Sequence, residues 1–285
     1  MNNHRTAFRH LIAFMLCFLL ACSCVSVSFA EDVITDADTI FEEGQRLLSD
    51  SSDPQNLAKG IGMIIAAANA GSAKAMVEVG ILYSSGLGRL ISNDFEEGSE
   101  VDLAYSWYVK GAEAGEPGLA GDALVSDAFT YFLGSDDDSV QEDDAAALMY
   151  FEKAAEYGNP NAINMMVAFY VYGFGVEQDP DKALELSSIL ADQGDKEALL
   201  AMEEFAYAYY AGTKDGIDIN FATAFKYYEK LTEYGNERAM YNVGLLYEYG
   251  LGVSRDHDKA VEWITKAVDA GYEPAKAMLT ELNKE

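Results

Sequence analysis

The chain has 285 residues, half of them apolar and a quarter charged, which excludes an intrinsically disordered chain. Acidic residues outnumber basic ones by 48 to 19, for a net charge of −29. A surface that negative repels nucleic acid and anionic lipid headgroups, so the expected macromolecular partners are neutral or basic proteins and peptides.

The first thirty residues read as a targeting segment. Arg5 and Arg9 precede an apolar run from Leu11 to Ala21, and Ser28-Phe29-Ala30 is a small-x-small cleavage site ahead of Glu31-Asp32. Two readings of this leader stand open. One is cleavage after Ala30; the other is a lipobox, Leu19-Leu20-Ala21-Cys22, in which Cys22 would be lipidated and anchor the chain without spanning the membrane. An uncleaved spanning helix is disfavoured, because the run falls short of the ~20 residues it needs. Removing the leader takes the net charge from −29 to −31, since it carries two arginines and no acid. It also removes Cys17, Cys22, Cys24, His4 and His10, which leaves no disulfide, no thiolate and a single histidine, His257. No cofactor or metal motif is present.

Beyond the leader, Asp36 to Ser49 and Leu57 to Ala70 read as two helices with Asp53-Pro54 in the turn between them. A repeat follows. Gly-x-x-x-Ala recurs at Gly71/Ala75, Gly115/Leu119, Gly158/Ala162, Gly194/Ala198, Gly235/Ala239 and Gly271/Ala275, at intervals of 44, 43, 36, 41 and 36 residues. Eleven residues before each of these glycines stands a small residue: Gly60, Ala104, Ala147, Ala183, Ala224 and Ala260. The segment between is a helix of constant length, B. In the last copy Ala260, Ile264, Ala267 and Val268 share one face, Asp256 is a candidate N-cap, and Gly271 terminates the helix. Asp179-Pro180-Asp181 supplies a cap followed by proline at the first helical position.

The variable part opens with helix A, which leaves through Tyr83/Gly86, Tyr131/Gly134, Tyr170/Gly173, Tyr209/Gly212 and Tyr247/Gly250. In the copies starting at Leu119 and Ala198 this exit is displaced by 4 and 3 residues, about one helical turn, which predicts longer A helices there. The other extra residues fall in A-to-B connections, Arg89 to Val101 and Ser135 to Asp144. After Ala275, Lys276 to Leu282 predicts a short closing helix.

The last copy (Ala239, Val243-Gly244, Tyr247, Gly250, Gly252-Val253, Asp258-Lys259-Ala260, Trp263, Lys266-Ala267, Gly271) and the copy starting at Ala162 closely resemble the Sel1-like repeat, a relative of the tetratricopeptide repeat. The resemblance covers nearly all of the chain beyond the leader. It implies an all-α superhelix (solenoid) of about six antiparallel helix pairs, divided into residues 31–74, a divergent first pair; 75–118, 119–161, 162–197, 198–238 and 239–275, the repeats; and 276–285, the cap. The recurring aromatics Tyr83, Tyr170, Tyr247, Trp107 and Trp263 are expected between helices as core.

By resemblance to tetratricopeptide arrays, A helices line the concave side. Stepping along them by 3, 4 and 3 selects Lys74, Val77, Ile81 and Ser84; Asn161, Asn164, Ala168 and Val171; and Arg238, Tyr241, Leu245 and Glu248. These side chains either clamp an extended peptide or face a merely solvated groove. The acidic runs Asp136 to Asp138 and Glu142 to Asp144 lack the spaced ligands and central glycine of a calcium loop, and read as solvated. His257, between Asp256 and Asp258, reads as a turn residue, with a pH-sensitive switch as the sharper option. Glu203 and Glu204 are adjacent on a helix and splay apart, so they form no catalytic pair. The expectation is a monomeric, exported, non-catalytic scaffold for protein–protein interaction in the cell envelope. The competing reading is a cell-wall-active enzyme or glycan-binding protein.

Overall fold

The structure, a computed structural model, describes residues 36–49, 54–87, 99–134 and 140–284. The leader with Cys22, most of the insertion from Arg89 onward and the run Asp136 to Asp138 lie outside the described residues. Among the described residues there are thirteen helices and no strand. They are α1 (Ala37–Ser49), α2 (Pro54–Asn69), α3 (Ala73–Ser84), α4 (Ser99–Glu113), α5 (Pro117–Leu133), α6 (Asp144–Glu156), α7 (Pro160–Tyr172), α8 (Pro180–Asp192), α9 (Lys196–Ala211), α10 (Phe221–Glu233), α11 (Glu237–Tyr249), α12 (His257–Asp269) and α13 (Pro274–Leu282). Odd-numbered helices up to α11 are the A helices, even-numbered ones the B helices, and α13 closes the array. The chain forms two compact units divided between Ile163 and Asn164, within α7. In each, helices pack on their sequence neighbours as a repeat solenoid.

The two A helices expected to be longer are longer: α5 has 17 residues and α9 has 16, against 12 in α3 and 13 in α11. Helix α2 starts at Pro54, earlier than the expected Leu57, because proline lacks the N–H that a first helical residue leaves unused. Helix α4 likewise begins at Ser99, inside the stretch read as a loop. Asp179 and Asp256 cap as expected, accepting from the N–H groups of Lys182 and Lys259.

A second role of the capping residue explains why insertions do not disturb the pairing. The N–H of Asp143, Asp179, Asn220 and Asp256, each the N-cap of a B helix, donates to the carbonyl of Tyr131, Tyr170, Tyr209 and Tyr247 near the end of the preceding A helix, at 2.8, 2.9, 2.8 and 3.0 Å. The start of B is therefore clasped to the end of A by the same bond, although the intervening chain varies in length. At the last connection Gly252 has φ +73° and sits against the backbone of Phe221 and Ala222, where α10 begins.

The core runs along B-helix positions Ala260, Ile264 and Ala267 and their counterparts, with Tyr108, Tyr150, Phe151, Tyr227 and Leu231 fully buried. The landmark aromatics divide. Tyr83 is buried, and Tyr247 packs edge-on against Phe225 with centroids 5.3 Å apart. The expectation of a fully buried set is corrected for the other four, because Tyr170, Tyr247, Trp107 and Trp263 are all only half-buried; the two tryptophans share a reason. Each stands three residues after the buried alanine, about 60° off the centre of the stripe. Lys110 and Lys266 lie over their rings at 4.3 and 4.0 Å.

Candidate functional site

The A-helix face of the C-terminal unit carries a shallow pocket of about 300 Å³ lined by Leu200, Glu203, Glu204 and Tyr207 of α9, Tyr228 of α10, and Arg238 and Asn242 of α11. Steps of 3 or 4 along α9 bring its four lining residues to one side. Leu200 and Tyr207 are 61% and 51% exposed, an apolar pair left uncovered on a helix that buries Met202, Phe205 and Tyr209. The two glutamates both line the pocket but take different partners. Glu203 takes Arg238 at 2.8 Å and the Asn236 amide at 3.2 Å, whereas Glu204 takes Lys214 at 2.8 Å. Tyr228 is 2% exposed, and burial first, then the Glu203 charge, pushes its phenol far above the ordinary tyrosine range. It is an O–H donor at every physiological pH. Neither its hydroxyl nor the Asn242 amide has a hydrogen-bond partner among the described residues.

The expected concave-face residues fare unequally. Arg238 is exposed and lines the pocket, and Leu245 is half-buried on the same helix. Tyr241 is half-buried, with its ring 5.3 Å from that of Tyr272. Lys74, Asn161 and Asn164 are exposed, with Asn161 in one unit and Asn164 in the other. Val77 corrects the reading: it is 0% exposed and wedged against Gly111, where a Cβ would lie 2.5 Å from its Cγ2. Ala168 and Val171 are buried as well. Glu248 is the other correction. Steps of 3, 4 and 3 cover ten residues, which at about 100° each ends roughly 80° from the starting direction. The fourth position thus rolls off the open face, and the stripe of α11 that stays at least half-open runs through exposed Arg238 and Tyr249 with half-buried Asn242 and Leu245 between them. Leu200, Tyr207, Tyr228 and Asn242 were not singled out from sequence. The signal available was an apolar i, i+7 pair on α9 beyond what the core requires.

Glu248 instead forms a clasp of its own. Its side chain is 7% exposed, bonded to the Arg255 guanidinium and 2.8 Å from His257 Nδ1, while Arg255 Nε donates to the Glu248 carbonyl at 2.8 Å. His257 is thus the first residue of α12 and tied to a carboxylate. The Arg255 hydrogen bond, helped by that of His257, holds the Glu248 carboxyl below its ordinary value of 4.5. A lowered carboxylate pKa adds stability that is present above the unfolded value and lost as pH falls through the folded one. Glu248→Ala is therefore expected to lower the urea-unfolding free energy by about 1–2 kcal/mol at pH 7. Its gap from the parent chain should narrow steadily below pH 4.5.

Among the described residues no group of three or more His, Cys, Asp or Glu side chains is placed to hold a metal ion, and no helix is long and apolar enough to cross a membrane. The chemistry on offer at the pocket is hydrogen bonding and apolar contact.

Comparison with known proteins agrees with the architecture. The chain is 31% identical over 154 residues to chitin synthase regulatory factor 4 of Schizosaccharomyces pombe, which covers 54% of this chain and 23% of that protein. It is 44% identical over 59 residues to the ERAD-associated E3 ubiquitin-protein ligase component HRD3A of Arabidopsis thaliana, 20% of this chain and 9% of that one. It therefore spans less than a quarter of the length of these relatives. Among solved structures, c5321, a protective antigen of uropathogenic Escherichia coli with an SLR fold, matches at a TM-score of 0.40 and 25% identity, covering 86% of this chain and 48% of that one. The model of the Sel1 repeat matches residues 73–116, 122–159, 164–195, 198–235 and 237–272. With five matched repeats spanning most of its length, the chain belongs to the Sel1 repeat family.

Proposed function

We propose that this Sel1 repeat protein is an exported, non-catalytic scaffold that holds a neutral or basic protein partner in the cell envelope on the A-helix face of its C-terminal unit. Export rests on the leader: Arg5 and Arg9, the run Leu11 to Ala21, and either the site at Ala30 or Cys22. The preference for neutral or basic partners rests on the net charge of −29. The observation that carries the reading is the uncovered Leu200 and Tyr207 pair beside the open Asn242 amide. Exposed apolar and tyrosine side chains next to hydrogen-bonding groups that the fold does not use are what a binding surface needs. Pre-stacked helices present them without further ordering cost. A regulatory role accords with the name of the Schizosaccharomyces pombe relative, a regulatory factor.

The test is crosslinking in the native envelope with the full chain, comparing the parent with the Leu200→Ser/Tyr207→Ala double variant. The expected result is at least tenfold less of the crosslinked partner with an unchanged melting temperature, while Ile219→Ser, an exposed apolar residue outside the pocket, leaves it intact. Equal crosslinking by all three chains, or retention of the chain on purified peptidoglycan, would sink the proposal.

A further inference from the structure

Tyr108 and Tyr228 occupy the same place in two copies of the repeat, four residues after the buried Ala104 and Ala224. Both are essentially inaccessible as residues. Their hydroxyls differ. Tyr108 donates to Asp127 Oδ2 at 2.9 Å and lies 3.1 Å from Ser84 Oγ, so the fold satisfies it from the A helices on either side. At the position of Ser84, thirteen residues after the repeat glycine, α9 carries Tyr207, which is turned out to solvent. Tyr228 is left with a hydroxyl that no described protein group accepts, at a pocket that also holds the unused Asn242 amide. The Tyr228 hydroxyl is not sealed from solvent, so it opens onto the pocket with no bond to the described residues. One copy spends this tyrosine on its own core, and the other holds it open.

Resting on the scaffold reading above, we infer that the pocket reads one internal peptide unit of an extended partner segment, with the Tyr228 hydroxyl donating to a main-chain carbonyl and the Asn242 amide pairing with the adjacent main-chain polar group. The neighbouring side chain of that segment lies against Leu200 and Tyr207 and is aliphatic or aromatic. Charge decides which kind of peptide group enters. Glu203 and Glu204 both line the pocket, Arg238 is committed to Glu203 and Lys214 to Glu204. A free terminal carboxylate would meet two carboxylates with no uncommitted cation among the lining residues, whereas a neutral amide meets no such cost. A lysine or arginine next in the segment is favoured by Glu204, whose side chain remains 66% exposed, and by the chain's net charge of −29.

The experiment pans a random dodecapeptide library, displayed with blocked carboxyl termini, against the full chain, and then measures the enriched peptides by calorimetry on the parent, Tyr228→Phe and Tyr207→Ala. The expected consensus is an aliphatic or aromatic residue followed within two positions by Lys or Arg. Tyr228→Phe, which removes only an oxygen that bonds nothing in the protein, is expected to weaken these peptides about five- to tenfold with no fall in melting temperature. Tyr108→Phe serves as the contrast, because it loses bonds to Asp127 and Ser84 and so lowers the melting temperature without touching peptide affinity. Peptides that bind Tyr228→Phe as tightly as the parent but are lost with Tyr207→Ala would overturn this inference and leave the scaffold reading standing. Tighter binding of the same peptides with free carboxyl termini at the pocket would overturn the internal-unit assignment. Absence of any enriched peptide, alongside a native partner that Leu200→Ser/Tyr207→Ala abolishes, would show that the groove takes a folded surface and not an extended segment.

Discussion

Gly252→Ala is expected to be among the most damaging single-methyl additions in the chain, lowering stability by about 3 kcal/mol or more and the melting temperature by roughly 10 °C. Two penalties coincide. Its φ of +73° is one that L side chains adopt at a cost of about 1 kcal/mol or more. Its Cβ would then lie 2.3 Å from the Phe221 carbonyl carbon, 2.4 Å from the carbonyl oxygen and 2.5 Å from the Ala222 nitrogen. Those are backbone atoms at the first turn of α10, so relief requires the turn itself to move. Gly271 provides the control. It has φ +97° but nothing within 4 Å of the place a Cβ would take, so Gly271→Ala carries the conformational cost alone, about 1 kcal/mol. Paired thermal melts separate the two costs. A Gly252→Ala chain that melts within 2 °C or so of Gly271→Ala would show that the close approach to α10 does not govern stability.

Asp127→Asn is expected to act in the opposite direction. Burial pushes the Asp127 carboxyl up to about 6, and the hydrogen bonds from Tyr108 and Ser84 offset only part of that cost. The sign follows from linkage. A carboxyl with a folded pKa above the unfolded value of 3.8 contributes stability that is fully present below pH 3.8 and lost as pH rises through about 6. At pH 7.5 the folded chain thus carries a poorly solvated charge that an amide would not. The asparagine variant is expected to gain about 1–3 kcal/mol there, since a pKa unit corresponds to ~1.4 kcal/mol, and to lose that advantage near pH 4. The amide oxygen introduced at this position can still accept from Tyr108. Melts of both chains at pH 4, 5, 6 and 7.5 decide it. Parallel profiles, or a variant that melts lower at pH 7.5, would show that the Tyr108 and Ser84 hydroxyls satisfy the ionised carboxylate in full.

Much of the fold is legible in the sequence, because the repeat writes its landmarks at backbone-critical points. The displaced Tyr-x-x-Gly exits gave the extra turn in α5 and α9, and Asp179 and Asp256 gave the starts of α8 and α12. The site was legible only in part. Arg238 was reached because it starts its stripe, but fixed steps of 3, 4 and 3 drift off a 3.6-residue helix and carried the reading to buried Glu248. Val77 is buried because α4 closes onto it at Gly111, a contact that spacing along α3 alone does not reveal. The pocket itself draws on α9, a helix along which no concave-face stripe was projected. Tyr228 looks like core in the sequence and is core by burial. That its hydroxyl is left over depends on what the flanking A helices present, Ser84 and Asp127 in one place and Tyr207 and Asn242 in the other.

The bond that ties four of the B-helix caps to the carbonyl near the end of their A helices also sets what the connections between them are free to become. Once Asp143, Asp179, Asn220 and Asp256 are held to Tyr131, Tyr170, Tyr209 and Tyr247, the residues in between form a closed loop whose two ends do not move when it grows. The cost of growth is then loop-closure entropy alone, about 0.6 kcal/mol for each doubling of length. An array built this way can lengthen one connection without altering the register of any helix. Its insertions are the cheapest sites at which such a protein can acquire sequence that its solenoid does not need.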